Sequence, residues 1–160
     1  MLEFELVPGG QVFRHMAAEN GMSLAEFGAF AAAQPAVDIE LDRRLAERAR
    51  AGRVVIESRL AGWIAHNEKL DGLLVWIGCD DEVRAERVAG REDKTVDQAL
   101  AENAEREKVE RDRYFALYGI DIDDLSIYDL VLDSGRLTPA EIADRIVRAA
   151  RTRFPSSDLP

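Results

Sequence analysis

Very little in this sequence suits redox or metal chemistry. Its 160 residues include one cysteine, Cys79, and two histidines, His15 and His66. A lone thiol excludes an internal disulfide and a cysteine-rich metal site, and two histidines cannot build a histidine-rich one. No run approaches the roughly 18 apolar residues that a membrane span needs. The start, MLEFELVPGG, lacks both the basic residues and the long apolar stretch of a secretion leader, so the expected location is cytoplasmic. Positive charge is outnumbered, with 21 Lys and Arg against 31 Asp and Glu and a net charge of −10. That balance argues against a nucleic-acid or membrane partner, so any anion site must be a local cluster of arginines.

What is present describes an ordinary folded domain. Apolar residues make up 47% of the chain and charged residues 32%, enough to bury a core at this length. Residues 2–7 alternate apolar and polar and end at Pro8-Gly9-Gly10, which predicts a strand and a turn. Helices are expected over 11–20, from Ser23 to just before Pro35, and over 35–51. Ser23 and Glu26 form the capping pattern of the second. RVVIE (53–57) and GLLVWIG (72–78) read as buried strands, with a short helix over 60–66 between them. Two charged helices are expected over 80–91 and 95–118, then a strand YDLVLD over 128–133. Thr138, Pro139 and Glu141 start a last helix that runs to about Arg153. The tail PSSDLP is expected to fray. Apolar strands alternating with amphipathic helices predict an α/β fold with a parallel sheet covered on both faces.

The notable side chains are arginines. Arg14 follows the Gly-Gly turn. Arg59 follows the strand VVIE, and the carboxyl ends of parallel strands line ligand crevices. Arg87 and Arg91 share one helix face, as do Arg106 and Arg113. Arginine binds phosphate bidentately, so these six residues from four segments are candidates for holding phosphoryl groups. Arg84, Arg111, Arg148 and Arg151 read instead as solvated ion-pair residues. Asp38 and Asp42 also share a helix face. They suit a hydrogen bond from a base amino group, as a carboxylate accepts from cytosine N4, although spacing alone favours ordinary surface acids. Trp63 and Trp76 read as core, Cys79 as a buried thiol, and both histidines as surface or structural residues. No metal-ligand set is found. Gly9-Gly10 reads as a turn, without the Lys-[Ser/Thr] of a phosphate loop.

Longer blocks narrow this reading. The segment from Tyr118 to Ser134, YGIDIDDLSIYDLVLDS, closely resembles the signature of cytidylate kinases of the archaeal and actinobacterial type. GQVFR (10–14), GMSLAEF (21–27), DIELDRR (38–44), VVIESRLAGW (54–63), VRAERVAGR (83–91) and the stretch from Arg106 to Tyr114 agree in order and spacing. The resemblance covers the chain to about Ala150. It implies one nucleoside-monophosphate-kinase domain across 1–160, with a nucleotide-binding helical insertion at about 11–52 and a lid at about 87–113. It further implies transfer of the γ-phosphoryl group of ATP to CMP or dCMP with Mg²⁺. On this chain, Arg14 and Arg59 would hold the acceptor phosphate. Arg87, Arg91, Arg106 and Arg113 would surround the transferring group, and Asp38 and Asp42 would read the cytosine edge. The implied partners are therefore small nucleotides.

One departure stands out. Such kinases open with a strand, a Gly-x-x-x-x-Gly-Lys-[Ser/Thr] loop and a helix, and the 160 residues contain no such loop. About one strand–loop–helix unit, roughly 20–25 residues, is expected to be missing ahead of Met1. A late start codon explains this better than decay, because the arginine set is intact. The donor site is then incomplete, and the chain is expected to be poorly active or inactive. Sheet edges and apolar neighbours of the lost strand should be exposed. The alternative is a non-catalytic nucleotide-binding module.

Overall fold

The computed structural model describes residues 4–155. The elements run β1 (Glu5–Pro8), α1 (Gly9–Glu19), α2 (Leu24–Ala33), α3 (Pro35–Ala51), β2 (Val54–Glu57), α4 (Ala61–Asn67), β3 (Val75–Gly78), α5 (Asp81–Glu92), α6 (Val96–Tyr118), β4 (Leu130–Asp133) and α7 (Pro139–Arg153). Every expected helix and strand is there, within a few residues. Leu2 and Glu3, expected in the first strand, lie outside the described residues, as does the tail beyond Pro155. The chain divides into two compact units that meet in sequence at Gly72 and Leu73.

In the first unit, β1 pairs in parallel with β2, with Val7 opposite Ile56 and Pro8 opposite Glu57. Helices α1, α2 and α3 form the main core. Met16, Ala17, Phe27, Ala31 and Val37 are buried together, and Phe13 packs on Phe27 with ring centroids 4.9 Å apart. The Ser23 cap works as expected: its backbone N–H donates to Glu26 at 2.8 Å and its hydroxyl accepts from the Glu26 N–H at 3.3 Å. Two orphan donors at the start of α2 are thereby satisfied.

In the second unit, β3 pairs in parallel with β4, with Ile77 opposite Leu132. The loop before β4 is tied to β3: the Leu74 N–H donates to the Asp129 carboxylate at 2.8 Å, and the Asp129 N–H donates back to the Leu74 carbonyl at 2.9 Å. Helices α5 and α6 pack closely through small side chains, with Ala85, Ala89 and Ala99 buried between them. Asp93 ends α5 in the left-handed conformation, with φ 54°.

The expected α/β fold with parallel strands is there, with one two-stranded pair in each unit. Helices cover each pair incompletely, so Leu6 (62%), Val55 (49%), Ile77 (49%) and Val131 (52%) stay exposed despite their apolar character. An apolar run signals that a strand prefers burial, but it does not supply the second layer. Trp63, Trp76 and Cys79, expected inside, are half-buried, and His15 and His66 are exposed. Trp76 leans on Tyr128, 5.4 Å between ring centroids.

Candidate functional site

In the first unit, Arg59 follows the carboxyl end of β2, and Arg14 lies on α1, which starts where β1 ends. Helix α1 begins at Gly9, two residues before the expected start, so the two glycines belong to the helix rather than to a turn. The reason is a close approach. A Cβ built on Gly9 would lie 2.9 Å from the Ser58 Cβ and 3.3 Å from the Glu57 carbonyl oxygen. Only glycine lets the first turn of α1 rest on the end of β2. Arg59 comes next in sequence, exposed, at the same place.

Arg14 is set by the same helix. A Cβ built on Gly10 would be 3.8 Å from Arg14 Nη1, so the guanidinium folds back along α1 toward its first turn. Pro8, the residue before the helix, provides no side-chain cap, and no acidic residue occupies the first turn. The positive end of the α1 dipole therefore meets no acidic side chain of its own first turn. Arg14 on α1 and Arg59 just past β2 bring two guanidinium groups to that end of the unit.

Helix α3 faces this junction. Leu45, which is fully buried, comes 3.7 Å from the Cβ built on Gly9. Asp42 and Asp38 precede it by three and seven residues and so share its face. Asp38 is buried in the first turn of α3, where the helix dipole favours a carboxylate, and Asp42 is half-buried. For Asp38 this corrects the reading as a surface acid. On the outer side of α3, Arg43 and Arg44 both bind Glu40 and lower its carboxyl pKa to about 2.

The second unit carries the other four arginines on the α5–α6 hairpin. Arg87 crosses from α5 to the carboxyl end of β4: Nη1 donates to the Ser134 hydroxyl at 3.1 Å and Nη2 to its carbonyl at 2.6 Å. The Ser134 N–H in turn donates to the Gly78 carbonyl at 2.7 Å. Arg91, one turn further along α5, projects into solvent and binds the neighbouring Glu92 at 2.8 Å. On α6, Arg106 donates through Nε to Glu110 at 3.1 Å, and Arg113 is half-buried with its guanidinium 5.2 Å from the Tyr114 ring centre.

Two features of this hairpin escaped the sequence reading. Arg84 is not a solvated surface residue. It is half-buried and pairs with Glu107 across the two helices and with Asp81 at 2.8 Å. The Glu107 hydrogen bond raises its already high pKa. Glu110 is buried on a helix that is polar almost all round. An acid three or four residues from an arginine is a visible signal, but its burial depends on packing that sequence does not show. Among the described residues, no group of three or more His, Cys, Asp or Glu side chains could hold a metal ion. No described helix is long and apolar enough to cross a membrane.

The chain is similar to several curated proteins. The cytidylate kinase of Pyrococcus abyssi is 49% identical over 147 residues, covering 92% of this chain and 79% of that protein. The cytidylate kinase of Halobacterium salinarum is 45% identical over 150 residues, 92% of this chain and 77% of that protein. That of Methanococcus vannielii is 42% identical over 146 residues, 91% of this chain and 84% of that protein. A family model described as the cytidylate kinase-like family matches residues 2–136. With parallel strand pairs, seven helices among the described residues and this match over most of its length, the α/β chain belongs to the cytidylate kinase-like family of phosphotransferases.

Proposed function

We propose that this chain works in the phosphorylation of CMP or dCMP, with ATP as phosphoryl donor and Mg²⁺ as accompanying metal. The observation that carries the reading is the Gly9–Ser58 approach, which sets Arg14, Arg59 and the first amides of α1 at one end of the first unit. Arg14 and Arg59 take the oxygens of the acceptor phosphate. The helical insertion at about 11–52 places Asp38 and Asp42 to accept a hydrogen bond from the cytosine amino group. The lid at about 87–113 presents Arg87, Arg91, Arg106 and Arg113 to the phosphoryl group in transfer.

The chemistry asks for charge neutralisation more than for acid–base groups. An acceptor phosphate oxygen forms a bond to the γ-phosphorus. The bridging bond to the β-phosphate breaks, and its electron pair leaves with ADP. Guanidinium groups lower the repulsion between two polyanions and stabilise charge on the equatorial oxygens. Mg²⁺ bound with the triphosphate would add positive charge at the phosphate oxygens.

The 160 residues hold no Gly-x-x-x-x-Gly-Lys-[Ser/Thr] loop, and we assign the grip on the triphosphate to a loop that is not among them. This is supported by the exposure of apolar Leu6, Val55, Ile77 and Val131 on the strands. The same lack favours a second reading, a module that binds the monophosphate without turnover. Both readings fit a nucleotide-handling protein of the cytoplasm.

The test is CMP titration by calorimetry together with an ADP-release assay in ATP plus CMP, dCMP or UMP. CMP binding with ADP release supports the kinase. CMP binding without release in this chain, and with release once an upstream Gly-x-x-x-x-Gly-Lys-Thr segment is supplied, assigns the donor grip to that segment. Binding without release in either form supports the second reading. Folded protein that binds no CMP overturns both.

A further inference from the structure

We infer that Glu110 is a positioning residue that aims Arg106 for polyphosphate, an inference that rests on the proposed role of the α5–α6 arginines. Glu110 is only 7% exposed. A carboxylate removed from water that far is costly unless cations and hydrogen bonds compensate it. Arg106 supplies one such partner, through Nε. Arg106 lies four positions before Glu110 and Arg113 three positions after, so an acid sits between two candidate phosphate ligands on one face of α6.

The bond geometry is informative. Arg106 spends its Nε on Glu110, at 3.1 Å, while its side chain remains 67% exposed. Holding a guanidinium by Nε restricts the plane of the group and leaves Nη1 and Nη2 unused by that bond. These two nitrogens form an edge that can take two oxyanion oxygens at once. The anchor also reduces the freedom that a long side chain would otherwise lose on binding. Finally, the negative charge of Glu110 offsets repulsion between Arg106 and Arg113 before any phosphate arrives.

This role predicts a sign that simple electrostatics does not. Removing a carboxylate near an anion site should tighten anion binding if charge alone matters. Removing an aiming residue should weaken it. Inorganic tripolyphosphate is the probe, titrated calorimetrically into the full chain and its Glu110→Ala, Glu110→Gln, Arg106→Ala and Arg106→Ala/Glu110→Ala variants. Circular dichroism and thermal midpoints confirm that each variant is folded.

The expected result is about fivefold weaker binding for Glu110→Ala, with Glu110→Gln within about twofold of the parent because its amide oxygen still accepts from Nε. In the Arg106→Ala background, Glu110→Ala should have no further weakening effect. Unchanged or tighter binding by Glu110→Ala, with Arg106→Ala weakened, overturns the aiming role and leaves the lid assignment standing. Equal weakening by Glu110→Ala with and without Arg106 also overturns it. Absence of binding by the folded parent, or an Arg106→Ala variant that binds as the parent does, overturns the lid assignment and the inference with it. Should Glu110→Ala fail to fold, Arg106→Lys serves instead, because it keeps the charge and lacks Nε. It should weaken binding as Arg106→Ala does, and binding equal to the parent overturns the inference.

Discussion

Gly9 opens α1 so close to Ser58 that a methyl group between them would come within 2.9 Å of the serine Cβ. The neighbour on the other side is backbone, the Glu57 carbonyl, which cannot swing away as a side-chain tip can. Gly9→Ala should cost about 1–3 kcal/mol of stability, the usual range for overpacking. It should also weaken CMP binding, because the first turn of α1 and Arg59 are then pushed apart. Thermal unfolding and calorimetry on the same variant check both effects.

Arg14→Ala and Arg59→Ala should behave differently from Gly9→Ala. Both side chains are exposed, so stability should change by no more than about 0.5 kcal/mol. CMP binding should weaken at least about tenfold in each, as expected for a lost charge-assisted phosphate contact. Cytidine, which lacks the phosphate, should bind the variants and the parent alike. A loss for cytidine equal to that for CMP would remove both residues from the phosphate site.

The Arg84–Glu107 pair joins α5 to α6 and should contribute through its partial burial. Glu107→Ala should cost about 1–2 kcal/mol, part of it from leaving the Arg84 guanidinium poorly compensated. A double-mutant cycle with Arg84→Met should return a coupling of about 1 kcal/mol. Chemical denaturation of the four proteins measures it. Additive losses would mean that the two side chains meet without stabilising the hairpin.

Acid stability offers a separate check on α3. Arg43 and Arg44 hold the Glu40 carboxyl at about 2, below its ordinary value of 4.5. A carboxyl with a depressed folded pKa stabilises the fold fully above the unfolded value and loses that contribution as pH falls through the folded one. Between about pH 4.5 and 2 the thermal midpoint of the parent should therefore fall more steeply than that of Glu40→Gln. Parallel curves for the two proteins would exclude Glu40 as a source of the acid dependence.

Asp42→Asn tests base recognition. An amide in place of the carboxylate presents donors as well as an acceptor, so preference for CMP over UMP should narrow by about 1–3 kcal/mol. Competition calorimetry with the two nucleotides measures the difference. An unchanged preference would leave Asp42 a structural acid on α3.

The order of elements was legible because local signals agreed. Ser23 with Glu26 and Thr138 with Glu141 each form both hydrogen bonds of a capping box. Apolar runs located the strands to within a few residues. What escaped the reading depends on partners distant in sequence. The helical conformation of Gly9 follows from its seat on Ser58, and the burial of Arg84 follows from Glu107 on the next helix. The arginine spacings identified which residues share a face. They did not reveal that Arg87 is tied to Ser134 while Arg91 reaches into solvent.

The bare flanks of the two strand pairs also bear on how the protein behaves in solution. Unpaired backbone groups beside Leu6 and Val55, or beside Ile77 and Val131, are templates on which neighbouring molecules can add strands. The net charge of −10 holds molecules apart while ionic strength is low. As salt shortens the reach of that repulsion, clear samples should turn turbid, and the sediment should be rich in intermolecular β-structure.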